Sequence, residues 1–229
     1  MHHEAQSAMQ SRALTRPTLK TPRAAAIAGI VFSVLMILIL WLLRMSVPAD
    51  PLEPGLWLQV HAQKVALAIN LVPFAGIAFL WFLGALRDRL GPEEDRFFAT
   101  LFFGSALLFL AMLFVASALI GAIILTSQAF PDAMSNSATF PLARASVYGI
   151  MNIYAVKMAA VFMFSTSTVV IYASFAPQWL AYLGYALAAV LLLGGGLLGW
   201  GLIVLPLWVF AISICLLRDT RRAEAAQPM

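Results

Sequence analysis

Charge is scarce in this chain, and acid is absent from its long apolar runs. Only 10% of the 229 residues are Asp, Glu, Lys or Arg, while 62% are hydrophobic. A soluble domain carries about 25% charged residues, so a mostly water-facing surface is excluded. Cysteine occurs once, as Cys215. That excludes an intrachain disulfide and a multi-cysteine metal site; a single thiol in an apolar run reads as a small buried hydrophobe. There is no HExxH, no GxSxG and no P-loop. Gly194, Gly195, Gly196 and Gly201 make a glycine-rich patch, but it lacks the lysine and preceding strand of a phosphate cradle, and a tight turn accounts for it. With no acid inside any predicted span, a proton relay is disfavoured. The close carboxylates, Asp50 with Glu53 and Glu93 to Asp95, fall in predicted loops, where solvation suffices. His2 and His3 sit side by side in a polar tail and make a weak metal pair. No cofactor, no metal and no catalytic residue is expected, and enzymatic activity is the least supported of the functional readings.

What the chain has is apolar length. Several runs exceed the roughly 18 residues that mark a membrane span. They are continuous and do not alternate, so the reading is helices and not a barrel. The expected fold is all-α, a polytopic bundle of six spans at about 24–43, 65–86, 97–125, 147–172, 179–195 and 199–217. Residues 1–23 and 218–229 are expected as cytoplasmic tails. The first run is about 20 residues long and leads into Arg44-Met45-Ser46 without a cleavage site, so it reads as a retained span; a secretory h-region has about 7–15. In the second span Pro73 is expected to kink the helix. The uncharged stretch Leu180–Leu217 is too long for one crossing, and the glycine patch offers the break. Ala25, Gly29 and Ser33, like Ser117 and Gly121, recur at four-residue spacing and predict close helix contacts.

The net charge of +4 has a membrane reading in place of a nucleic-acid one. With six spans and an inner N-terminus, ten basic residues lie inside: Arg12, Arg16, Lys20, Arg23, Arg87, Arg89, Arg96, Arg218, Arg221 and Arg222. Only Arg44, Lys64 and Arg144 lie outside, as the positive-inside rule prefers. Five spans would leave seven inside and six outside.

Two groups of residues stand out. Lys157 falls near the middle of the fourth span, roughly 15 Å deep by helical rise, at a cost of about 2.5–3.5 kcal/mol on insertion scales. Tyr154 and Thr168 share its helix face; Asn152 points elsewhere; Asn70 lies in the second span. These five form the candidate buried polar site. The simplest role for Lys157 is an interhelical tie to carbonyls, a hydroxyl or Asn70. The second group is the loop bearing Arg87, Arg89, Glu93, Glu94, Asp95 and Arg96. Gly91 suits a helix end, and Pro92 followed by three acids suits a helix start; the loop is also a candidate cytoplasmic docking site.

The segment PEEDRFFATLFFGSALLFLAMLF, with NLVPFAGIAFLWFLGALRDRLG before it, resembles a group of uncharacterised bacterial multi-pass membrane proteins with an EDRFFAT-type stretch ahead of the third span. The similar region extends through NIYAVKMAAVFMFSTST. The resemblance implies a bacterial cytoplasmic (inner) membrane and no particular activity. The sequence therefore favours an integral membrane protein that is a non-enzymatic accessory or packing partner. The alternative is a small transporter or channel for an anionic or carbonyl-bearing solute or lipid, with Lys157 lining the cavity. Expected partners are the lipid bilayer and other membrane proteins, a second copy of the chain among them, and no nucleic acid.

Overall fold

The computed structural model describes residues 21–53, 55, 57–87, 96–130, 138–173, 176–194, 199 and 201–225. Of these, 92% are helical and none is in a strand. The helices are α1 (Thr21–Ser46), α2 (Trp57–Arg87), α3 (Arg96–Ala129), α4 (Thr139–Gly149), α5 (Val156–Ala173), α6 (Gln178–Leu193) and α7 (Gly201–Ala225). A single π turn, Ile150–Ala155, joins α4 to α5. Five helical stretches are long and apolar enough to cross a membrane, with α4, the π turn and α5 counting as one of them; α6 is a sixth, shorter apolar helix. Its 16 residues rise about 24 Å, short of a hydrocarbon core of about 30 Å.

The first four membrane-length helices start earlier and end later than the hydrophobic runs alone suggested, whereas α6 ends two residues before the expected bound and α7 starts two residues after it. The fourth begins at Thr139, eight residues before Val147, because Pro141 occupies its first turn, where a missing N–H costs nothing. The second begins at Trp57 and runs continuously past Pro73, which lies inside it. Both polar tails lie outside the described residues except for the helical ends of α1 and α7, as do residues 88–95 and 195–198.

Phenylalanine holds the centre together. Phe79 of α2 lies 4.5 Å from Phe32 of α1, 5.8 Å from Phe109 of α3 and 5.2 Å from Phe162 of α5, ring centre to ring centre. Offset and edge-on pairs of this kind add about 0.5–1.5 kcal/mol each beyond their buried area. Where rings do not separate the helices, small residues let them touch. A methyl added at Gly29 of α1 would collide with Ser213 Oγ of α7 and the Phe82 ring of α2. Ala25, Gly29 and Ser33 are all buried, so the four-residue stripe does face neighbouring helices. Gly184 of α6 similarly admits Ser167 of α5 and Trp208 of α7.

Most buried hydroxyls are satisfied within their own helices; those of Ser46 and Ser213 have no hydrogen-bond partner in the protein. Ser33 donates to Gly29 O at 2.7 Å and Ser105 to Leu101 O at 2.6 Å. The run Ser165, Thr166, Ser167, Thr168 does the same, each hydroxyl donating one turn back at 2.8–3.3 Å. These bonds remove the cost of placing hydroxyls in an apolar core, and they give this polar run a structural explanation.

Candidate functional site

The five residues of the expected buried site do not converge. Lys157, Tyr154 and Asn70 are exposed on the outside of the bundle. The reason lies in the opposite face of each helix. On the π turn and α5 the interior positions are taken by Ala155, Ala159, Phe162, Met163 and Thr166, which turns Lys157 outward. On α2 they are taken by Ala68, Val72, Ala75 and Phe79, which turns Asn70 outward. Thr168 alone is buried, and its Oγ1 lies 2.8 Å from the Tyr185 hydroxyl, a tie between α5 and α6. The picture of an ammonium inside the bundle is therefore corrected: the amine is on the surface that the helices present outward. In the second group, Arg87 is exposed, with its guanidinium 4.9 Å from the centre of the Phe103 ring. Arg89, Glu93, Glu94 and Asp95 lie outside the described residues, as does the side chain of Arg96.

A different constellation forms at the end of the bundle where α1 finishes and α2 begins. Here the C-terminal turns of α1 and α3, the first turns of α2 and α7, and the α4–π segment line a half-open cavity of about 270 Å³. Its walls are mostly apolar: Leu40, Leu43, Ile120, Ile123, Leu202 and Ile203. Among the described residues, the charged ones on it are two arginines, Arg44 and Arg144, and no carboxylate lines it.

Arg144 is the most unusual of these residues. It is only 6% exposed. Its Nη1 donates to Glu53 O at 2.7 Å and its Nη2 to Pro48 O at 3.1 Å. Two of its five donors are thereby committed to backbone carbonyls of the proline-rich connection between α1 and α2. The guanidinium also lies 5.8 Å from the Trp57 ring and 5.9 Å from that of Phe140, within cation–π range. The Glu53 and Asp50 carboxylates attract it electrostatically. Asp50 is exposed, however, and accepts from Leu52 N at 2.9 Å, and Glu53 is exposed too, so solvent screens both. Carbonyl dipoles and ring faces thus hold the positive charge in place at the cavity wall.

Two more features shape the cavity. The π turn brings Met151 and Asn152 onto the wall. A π turn loosens the ladder of i→i−4 bonds, and Asn152 Nδ2 donates to Tyr148 O at 3.1 Å, one turn back. Such single π turns recur at functional sites. Trp57, also on the wall, is nearly buried, and its indole N–H has no hydrogen-bond partner in the protein. Of the five expected site residues, Asn152 alone lines the cavity; the transporter reading with Lys157 on the wall does not fit it.

Sequence reading passed over Arg144, Trp57 and Tyr148. Arg144 counted only as an outer basic residue, and Trp57 only as a headgroup-level aromatic. A signal was nonetheless present: an arginine three residues after Pro141, in a helix that runs directly into an apolar span. Among the described residues there is no group of three or more His, Cys, Asp or Glu placed to hold a metal ion. Compared with protein-family models, with curated proteins and with solved structures, the chain matches none.

Proposed function

We propose that this chain is a six-pass protein of a bacterial cytoplasmic membrane, with both termini in the cytoplasm, and that it acts without catalysis as an accessory to another membrane protein. Two observations support six passes. Helix α6 starts just past Ala173, at one end of the bundle, and Gly199 reaches the cavity wall at the other. The ten-to-three distribution of basic residues adds to this.

The observation that carries the accessory role is the position of Lys157. It lies on the outward surface of α5, nine residues beyond Tyr148, or about 13 Å by helical rise. An outward cation at that depth meets hydrocarbon, at a cost of about 2.5–3.5 kcal/mol. Snorkelling recovers part of that cost; an acidic or carbonyl-bearing face on a partner helix recovers more. Among the described residues the acids are at the ends of the apolar runs, as Asp50 and Glu53 are between α1 and α2 and Asp219 is near the end of α7, so a second copy is poorly placed to supply a carboxylate at that depth. The partner is therefore a different membrane protein.

The test is Lys157→Met, with a photo-crosslinking residue placed at 157 and, for comparison, at Trp81, another exposed position. Replacement by Met leaves the folded chain intact or more stable and dissolves its complex on native electrophoresis. Crosslinks form from 157 and not from 81. A complex of unchanged size and yield in Lys157→Met would refute the reading.

A further inference from the structure

We infer that the cavity beside Arg144 is a binding site for an anionic amphiphile: a carboxylate or phosphate head on a short apolar chain. The walls divide in the way such a molecule does. Arg144 offers positive charge and N–H donors. Leu40, Leu43, Ile120, Ile123, Leu202 and Ile203 offer only hydrocarbon.

The charge argument decides the sign of the ligand. A buried guanidinium needs compensation, and the fixed partners of Arg144 are two carbonyl oxygens and two ring faces, which carry partial charges only. Both nearby carboxylates are exposed, and neither lines the cavity. An anion entering from the cavity side would meet Arg144 and, among the described lining residues, no carboxylate, in surroundings of low dielectric. A planar carboxylate or a phosphate suits a guanidinium best, because its oxygens accept parallel N–H donors.

Size decides the rest. The cavity, at about 270 Å³, lies just under the roughly 300–1,000 Å³ of small-molecule sites. A head with a single chain of moderate length fits inside; the two long chains of a phospholipid would extend beyond the cavity. A bare inorganic anion would leave the aliphatic walls unused. Such a ligand could arrive from the bilayer as a single-chain lipid or from the aqueous side as a free short-chain acid, and the chemistry that recognises it is the same.

The experiment uses the full chain in neutral-detergent micelles, with binding followed by native mass spectrometry and calorimetry. The probes are octanoate, octyl phosphate, octanol and inorganic phosphate, with a single-chain lysophosphatidic acid to represent the bilayer source. Octanoate and octyl phosphate bind saturably, one per chain; octanol and inorganic phosphate bind at least about tenfold more weakly. Tighter binding of the lysophospholipid than of octyl phosphate assigns the site to a membrane lipid, and the reverse assigns it to a free acid. Ile203→Trp fills the apolar end without touching the bonds of Arg144, and it weakens octanoate at least about tenfold. Arg144→Lys keeps the charge but loses the fork, and it weakens the anions without changing octanol.

Octanol binding as well as octanoate, inorganic phosphate binding as well as octyl phosphate, or unchanged octanoate affinity in Ile203→Trp would each overturn the proposal. The site is independent of the accessory role: octanoate binding is read on the isolated chain, and Lys157→Met binds it as the parent does.

Discussion

Arg144 does two jobs with one side chain, and substitutions separate them. Its bonds to Glu53 O and Pro48 O pin the connection between α1 and α2 onto α4. Arg144→Gln removes the charge and the fork together, leaving two carbonyls short of a donor, at about 1–3 kcal/mol each. The expected result is a clear fall in the thermal midpoint measured in detergent, with Arg144→Lys falling less. Trp57→Phe makes the opposite point. It deletes a buried N–H that has no partner in the protein, so it leaves stability within about 1 kcal/mol of the parent. A large loss in that variant would mean that the indole N–H is already bonded in the protein. The role of Arg144 could not be read locally, because its acceptors lie 91 and 96 residues away in sequence. The serine and threonine run at 165–168 was the reverse case: each hydroxyl bonds four residues back, and helical geometry alone accounts for these bonds, the tie from Thr168 to Tyr185 aside.

At the scale of elements, the contacts between helices turn on a few small residues. Gly29→Ala and Gly184→Ala each force backbone or ring movement, since the added methyl would collide with Ser213 and Phe82, or with Ser167 and Trp208. Overpacking of this kind costs about 1–3 kcal/mol. Gly84→Ala, where a methyl meets nothing within 4 Å, leaves the thermal midpoint equal or higher. The three midpoints, measured side by side, check the packing directly. The α5–α6 hairpin has its own test in the Thr168 and Tyr185 pair. A double-mutant cycle with Thr168→Val and Tyr185→Phe should give a coupling of about 0.6 kcal/mol, as for hydroxyl pairs between membrane helices. Stripes at Ala25, Gly29 and Ser33 announced that something packs close; they did not say that α7 and α2 are what packs there. The π turn went unforeseen because Ile150–Ala155 has nothing in its composition that distinguishes it from an α-helix.

For the whole molecule, the question is which ends share a side. Cys215 is the sole cysteine, so a Cys215→Ser background allows single cysteines to be placed at will. Six passes predict that Ala5→Cys and Gln227→Cys are labelled only from the cytoplasmic face, and Ala49→Cys only from the opposite one. Labelling of position 227 together with position 49 would make the number of crossings odd. The shortness of α6 makes this a demanding test, because 16 residues reach only about 24 Å. Local thinning of the bilayer or the glycine-rich connection after Leu193 must supply the remainder.

The amino-acid order alone determined that these stretches are helices in an apolar medium, roughly where each one lies, and that no acid accompanies them. Those properties follow from local composition and run length, which backbone hydrogen bonding turns into helices wherever water is excluded. Only the tertiary structure decided which way Lys157, Asn70 and Tyr154 point, and that Arg144, Trp57 and Asn152 meet around one cavity. The direction a residue takes on a nearly uniform apolar helix depends on which neighbours fill the interior, and that is set by packing between segments far apart in the chain.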